Sequence, residues 1–198
     1  MQKGLFILLE GPDGGGTTSH SQLLAKHVES LGHKVLLTAE PTGGPIGKFI
    51  REQLNAHAGI PGSALQLLFT ADRAMHMEKT VKPALEAGMI VISDRSFPST
   101  IAYGEALGLD YRWLEQANSV FPKPDLVILA QPSLEVCLER MNKRPTKDML
   151  EEDSLQARVH KAYLRMAKED PTWVQLDTAG PMDDTAKQIA TIVDKLLV

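Results

Sequence analysis

Leu5-Phe6-Ile7-Leu8-Leu9-Glu10-Gly11-Pro12-Asp13-Gly14-Gly15-Gly16-Thr17-Thr18-Ser19 is the stretch on which the fold turns. Its apolar opening has the length and character of a buried parallel strand, its glycines permit a tight turn, and a helix is predicted from Ser19 onward. A turn of this kind points successive backbone N–H groups into one concavity at a helix N-terminus, where phosphate oxygens are favoured. The spacing G-x-x-x-x-G-K-[ST] fits at Gly11, Gly16 and Thr18, but Thr17 stands at the lysine position. The stretch therefore predicts a phosphate loop that works without its usual point charge.

Working outward, residues 19–30 place Leu23, Leu24, His27 and Val28 at helical spacing, and residues 34–38 read as a second buried strand. Strand, glycine turn, helix and strand make a βαβ unit, which favours a parallel sheet covered by helices. The turn Ala39-Glu40-Pro41-Thr42-Gly43-Gly44-Pro45 follows at a strand C-terminus, where ligands sit in open α/β sheets. A helix over 46–54 and a break at 59–62 precede a long helix over 63–85, interrupted near Pro83. Further strands are predicted at 89–92, ending in Ser93-Asp94-Arg95, at 125–129 and at 173–176. Helices are predicted over 99–107, 111–118, 133–142, 154–168 and 183–197. There is no internal repeat, low-complexity tract or linker.

The composition narrows the function classes. With 198 residues and 43% hydrophobic content, a single domain over 1–198 with a sizeable core is expected. Lys+Arg 21 against Asp+Glu 25 leaves a net charge of −4, so no overall basic field argues for nucleic acid or a membrane surface as partner. One cysteine, Cys137, excludes an internal disulfide, and no cysteine cluster suggests zinc. A reducing cytoplasm is the expected home. No run approaches the ~18 apolar residues of a membrane span, and the N-terminus enters a strand directly instead of a signal peptide.

Glycine-rich strand-to-helix turns also serve dinucleotides, but no G-x-G-x-x-G with an acidic residue closing the second strand is present, although Glu40 comes near that position. The phosphate reading gains from Thr18, placed where a magnesium ligand belongs, and from Asp94 after a buried strand. The alternative is that both residues merely cap helices.

Four separate segments then carry a resemblance to the thymidylate kinase family that covers essentially the whole chain. The family's E-G-x-D-G-x-G-K-T-T matches Glu10-Gly11-Pro12-Asp13-Gly14-Gly15-Gly16-Thr17-Thr18 except at the lysine, and its R-E-P-G-G appears as Ala39-Glu40-Pro41-Thr42-Gly43. Its L-F-x-A-D-R-x-x-H appears as Leu68-Phe69-Thr70-Ala71-Asp72-Arg73-Ala74-Met75-His76, and its D-R-x-x-x-S-[ST]-x-A-Y-Q as Asp94-Arg95-Ser96-Phe97-Pro98-Ser99-Thr100-Ile101-Ala102-Tyr103-Gly104.

The resemblance implies a three-layer α/β/α P-loop kinase with a five-stranded parallel sheet, transferring the γ-phosphate of ATP to dTMP with Mg2+, and usually a homodimer. It implies ATP at Gly11, Gly14, Gly15, Gly16, Thr17 and Thr18, and metal at Thr18 and Asp94. It implies dTMP at Asp13, Glu40, Pro41, Arg51, Phe69, Arg73, Arg95, Ser99, Thr100 and Tyr103. Phe69 and Arg73, four apart on one helix face, would offer a flat apolar surface and a donor for thymine O4. Asp13 would accept from the sugar 3′-hydroxyl, Arg95 would grip the acceptor phosphate, and Tyr103 would lie beside the sugar where a 2′-hydroxyl would collide.

The departures fall on phosphate chemistry. The family's cations are replaced by Thr17, Ala39 and Met149, the last aligned through Asp148-Met149-Leu150-Glu151 to D-R-x-E of a mobile lid at about 142–153. Compensation would come from Arg140, Lys143, Arg144 or Lys147, with Arg144 or Lys147 reaching the β- and γ-phosphates. Gly104 replaces the family's glutamine near the base. Two rivals follow: another nucleoside monophosphate kinase, and a nucleotide-binding sensor or partner subunit weakened in catalysis.

Overall fold

The computed structural model describes residues 4–197. Five strands form one parallel sheet in the order β2-β3-β1-β4-β5: β1 (Leu5–Glu10), β2 (Val35–Ala39), β3 (Ile90–Asp94), β4 (Leu126–Ala130) and β5 (Val174–Leu176). The central β1 pairs with β3 on one side and β4 on the other, and helices cover both faces, which is why its run is apolar without alternation. Ile7 and Leu9 face a core shared with Leu24 and Val28 of α1 (Thr17–Ser30) and Ile189 and Val193 of α9 (Met182–Asp194). Phe6 and Leu8 face the opposite layer with Met77, Val81 and Ala84.

That opposite layer holds α2 (Pro45–Asn55), α3 (Gly62–His76), α4 (Lys82–Glu86), α5 (Phe97–Ala106), α6 (Tyr111–Asn118) and α8 (Asp153–Glu169), and α7 (Leu134–Asn142) packs against α8. Asp110 caps α6 by accepting from the Arg112 N–H at 2.9 Å, satisfying one of its orphan donors.

Two expectations are corrected. Residues 34–38 were expected as a buried strand, whereas β2 is an edge strand and only half covered, with one neighbour instead of two. The interruption of the long helix falls before Pro83, in a π-helical turn at Met77–Val81. Pro83 itself sits in the first turn of α4, where its missing N–H costs nothing.

The parallel register sets the strand ends side by side. Asp94 stands level with Leu9 of β1 and Ala39 of β2, and Glu10 level with Leu129. The turns after β1, β2 and β3 therefore meet at one edge.

Candidate active site

The glycine turn leaves β1 and opens α1 as predicted, with Gly15 N–H donating to the Pro12 carbonyl at 3.0 Å. Gly14 has φ +80°, and a Cβ there would lie 2.5 Å from the Cys137 carbonyl oxygen, so α7 presses the turn from behind and admits only glycine. Thr17 is buried at the lysine position. Thr18 Oγ1 donates to Asp94 Oδ2 at 2.5 Å, while Asp94 Oδ1 is buried with no partner. Among the described residues no group of three or more His, Cys, Asp or Glu is placed to hold a metal. The hydroxyl and the half-used carboxylate form a hard oxygen pair of the kind that binds Mg2+ when phosphates and water supply the remaining ligands.

Two clefts open at this edge of the sheet. The first, with about 120 Å³ of space, is walled by Asp13, Glu40, Pro41, Phe69, Arg73, Arg95, Ser99, Thr100 and Tyr103, all expected, and by Leu54, Gln66, Ser96, Asp148 and Leu150. The second, about 420 Å³, follows the glycine turn through Pro12, Gly14, Gly16, Thr17 and Thr18 and includes His20, Arg140, Arg144 and Thr178. Asp13 and Arg95 stand in the walls of both.

That junction is held from several elements. Arg95 adopts φ 69°, a left-handed conformation costly for a side chain of its size and stabilised here by its many contacts. Its Nη2 donates to Asp13 Oδ1 at 2.8 Å and its Nη1 to the Gly11 carbonyl at 2.6 Å. The other Asp13 oxygen accepts from Tyr103 Oη at 2.7 Å and from Gln156 Nε2 at 2.8 Å. Beneath them Glu10, fully buried, accepts from Ser96 N–H at 2.6 Å, Ser99 Oγ at 2.7 Å and Tyr163 Oη at 2.9 Å. Burial pushes its carboxyl up to about 7, against the pull of Arg95 and the three donors.

Arg73 is 1% exposed. Its Nε donates to Glu40 Oε2 at 2.8 Å, its Nη1 to Asn118 Oδ1 at 2.5 Å and its Nη2 to Thr100 Oγ1 at 3.0 Å. Glu40 also pairs with His76 Nδ1 at 2.9 Å, so it anchors Arg73 within the cleft wall. A guanidinium carries five N–H groups, so Arg73 keeps donors beyond these bonds. Arg51 does not wall the cleft: it donates to the carbonyls of Pro41 and Thr42 and braces their turn.

On the phosphate side, Arg140 donates to the Gly14 carbonyl at 3.1 Å and the Thr178 carbonyl at 2.8 Å, and Arg144 pairs with Glu151. Lys143 pairs with Glu139, and Lys147 lies against Asn142 and Asp153, so neither lysine lines the second cleft. His20 is buried with Nδ1 unpartnered, and burial together with Arg140 pushes its pKa down, favouring the neutral ring. Ala39 closes β2, and Met149 packs on the core around Leu155 and Val159 with its N–H on the Leu54 carbonyl.

Sequence reasoning missed Gln66, Gln156, Tyr163 and Asn118. Gln156 and Tyr163, seven apart on one face of α8, carry the spacing of a functional stripe, but they read equally as part of that helix's buried face.

A family model described as thymidylate kinase matches residues 9–189. A "Probable thymidylate kinase" of Pyrococcus horikoshii is 40% identical over 197 residues, covering 96% of each chain. One of Thermococcus kodakarensis is 39% identical over 98% of each. A "Thymidylate kinase" of Thermomicrobium roseum is 37% identical over 97% of this chain and 95% of that one.

Proposed function

Because the chain belongs to the thymidylate kinase family, we propose that the two clefts work as one active site, with dTMP in the first and the phosphates of ATP in the second. The reaction is transfer of the ATP γ-phosphoryl group to dTMP, giving dTDP and ADP. The observation that carries the assignment of clefts is the shared wall: Asp13 and Arg95 face both, so an acceptor phosphate held by Arg95 lies next to the donor phosphates over the glycine turn.

An oxygen of the dTMP phosphate attacks the γ-phosphorus while the bond to the β-bridging oxygen breaks, and ADP leaves. Little covalent chemistry is asked of the protein, so positioning and charge stabilisation do the catalysis. Arg95, locked by Gly11 and Asp13, holds the acceptor phosphate, and Asp13 and Tyr103 border the sugar. Phe69 and Arg73 take the base, with Ser99, Thr100, Glu40, Pro41 and Arg51 shaping its surroundings. The glycine turn from Gly11 to Gly16 with Thr17 cradles the donor phosphates through backbone N–H groups. Thr18 and Asp94 would hold Mg2+, which would supply positive charge to offset that of the phosphates. Arg144 supplies the cation that Thr17 lacks, supported by its place in the second cleft's wall.

Residues 142–153 form a lid on a single kinase domain. Arg144 of this segment lines the phosphate cleft while Asp148 and Leu150 line the acceptor cleft, so one closure would cover both. We read the enzyme as a homodimer, on the support of an exposed apolar stripe along α3, and as cytoplasmic, since its sole cysteine is a buried free thiol suited to a reducing compartment.

A coupled assay tests the reading. With saturating ATP and Mg2+, dTMP is expected to be phosphorylated at a measurable rate that disappears on chelation of the metal. Absence of turnover alongside calorimetric dTMP binding would overturn the kinase assignment.

A further inference from the structure

Gln66 is 1% exposed, walls the acceptor cleft, and has no hydrogen-bond partner for either Oε1 or Nε2. A buried carboxamide with both ends unsatisfied is costly for the empty protein, because each polar atom has given up water for nothing. On α3 it precedes Phe69 by three residues and Arg73 by seven, so a carboxamide, an aromatic ring and a guanidinium share one helix face turned to the cleft.

Gly104 accounts for the room it occupies. A Cβ at Gly104 would lie 3.2 Å from Gln66 Cγ and 2.3 Å from Leu114 Cδ1, so Gln66 and Leu114 together fill the volume of the absent side chain. The space beside Gly104 on α5 thus lets the Gln66 side chain of α3 lie buried between the two helices while it walls the cleft.

Resting on the dTMP reading above, we infer that Gln66 is a base-reading residue of this enzyme, accepting from the pyrimidine N3–H through Oε1 and donating through Nε2 to a neighbouring ring carbonyl. Arg73 is fixed by Glu40, Asn118 and Thr100 and has only donors to offer, so it sets a carbonyl at position 4 of the ring. Gln66, free to rotate its amide, then completes the edge with an acceptor for N3–H. The pair favours bases with a 4-carbonyl and N3–H over cytosine, which presents an amino group to Arg73.

The test compares dTMP with its N3-methyl analogue, which keeps both ring carbonyls and has no N3–H to donate, in the native enzyme and in Gln66→Met. The native enzyme is expected to show a KM for the analogue raised at least tenfold. In Gln66→Met, KM for dTMP should rise by a similar factor, with kcat changed less than threefold and the preference for dTMP over the analogue lost. The melting temperature of the free variant should equal or exceed that of the native protein, since an unsatisfied amide has been removed, and this separates loss of a contact from loss of fold. If Gln66→Met keeps the native KM, or keeps the native preference for dTMP over the N3-methyl analogue, Gln66 is a packing residue and the inference falls while the kinase reading stands. If the native chain fails to bind dTMP at all, both fall together.

Discussion

Glu10 is a carboxyl group with three donors aimed at it and no access to water, and the balance between those effects makes it titrate in an unusual place. Burial dominates and raises its pKa from 4.5 to about 7, so between these values the folded chain holds a proton that the unfolded chain has released. The stability contributed by this proton is complete below the unfolded pKa and is lost as pH rises through the folded one. Glu10→Gln stays neutral throughout and lacks this slope. Urea melts from pH 4.5 to pH 8 should show the native protein losing roughly 3 kcal/mol more than the variant over that span, given a rise to about 7. Parallel curves for the two proteins would refute the assignment. Glu10 was legible as the first residue of a motif after an apolar strand, but its distant donors, Ser96, Ser99 and Tyr163, were not.

At the scale of elements, on the reading proposed above, the β1–α1 turn and the segment after α7 divide a task that a single lysine performs in the resembled loop. Thr17 packs inward and offers no charge, while Arg140 and Arg144 approach the turn from the α7 side. Removing a single charge-stabilising donor typically costs ~10²–10³ in rate, so Arg144→Ala should lower kcat by about that factor with little change in the KM for dTMP. Thr17→Lys should change the native rate only slightly, because the cation is already supplied, yet recover at least about tenfold in the Arg144→Ala background. Single-turnover rates for the four proteins decide this; an Arg144→Ala enzyme with native kcat would show that the charge comes from elsewhere. Spacing alone revealed the missing lysine. It did not reveal which of four nearby cations face the turn, because the contacts that hold Lys143 and Lys147 away from the second cleft form only on folding.

For the molecule as a whole, one exposed apolar feature is a stripe on α3. Leu67, Ala71, Ala74 and Met75 recur at helical spacing on the outer side, Leu67 at 51% and Met75 at 39% exposure, opposite the face that carries Gln66 and Arg73. On the homodimer reading proposed above, this stripe is the association surface, and a second copy of the same helix is the occupant that two-fold symmetry supplies. Leu67→Glu combined with Ala71→Glu should therefore convert a dimer to a folded monomer, read as a halving of mass in sedimentation equilibrium with unchanged helical circular dichroism. Since the opposite face of α3 walls the acceptor cleft, the monomer is expected to show a raised KM for dTMP. A native chain that sediments as a monomer would remove the dimer from the reading.

Local chemistry in the sequence determined the parallel α/β fold, the order of its elements, the glycine turn and the loss of its lysine. Runs of apolar residues, glycines and prolines act over a few positions and leave their mark in spacing. Tertiary structure alone decided that β2 lies at an edge, that the long helix yields before Pro83, that Arg51 braces a turn instead of facing the cleft, and that Asp13 and Arg95 join two clefts. It also brought Gln156 to Asp13 across 143 positions of chain and Gln66 into the space left by Gly104. Contacts of that range depend on which helix faces pack together, and no local pattern records them, because the same buried spacing serves a core residue and a ligand-binding one alike.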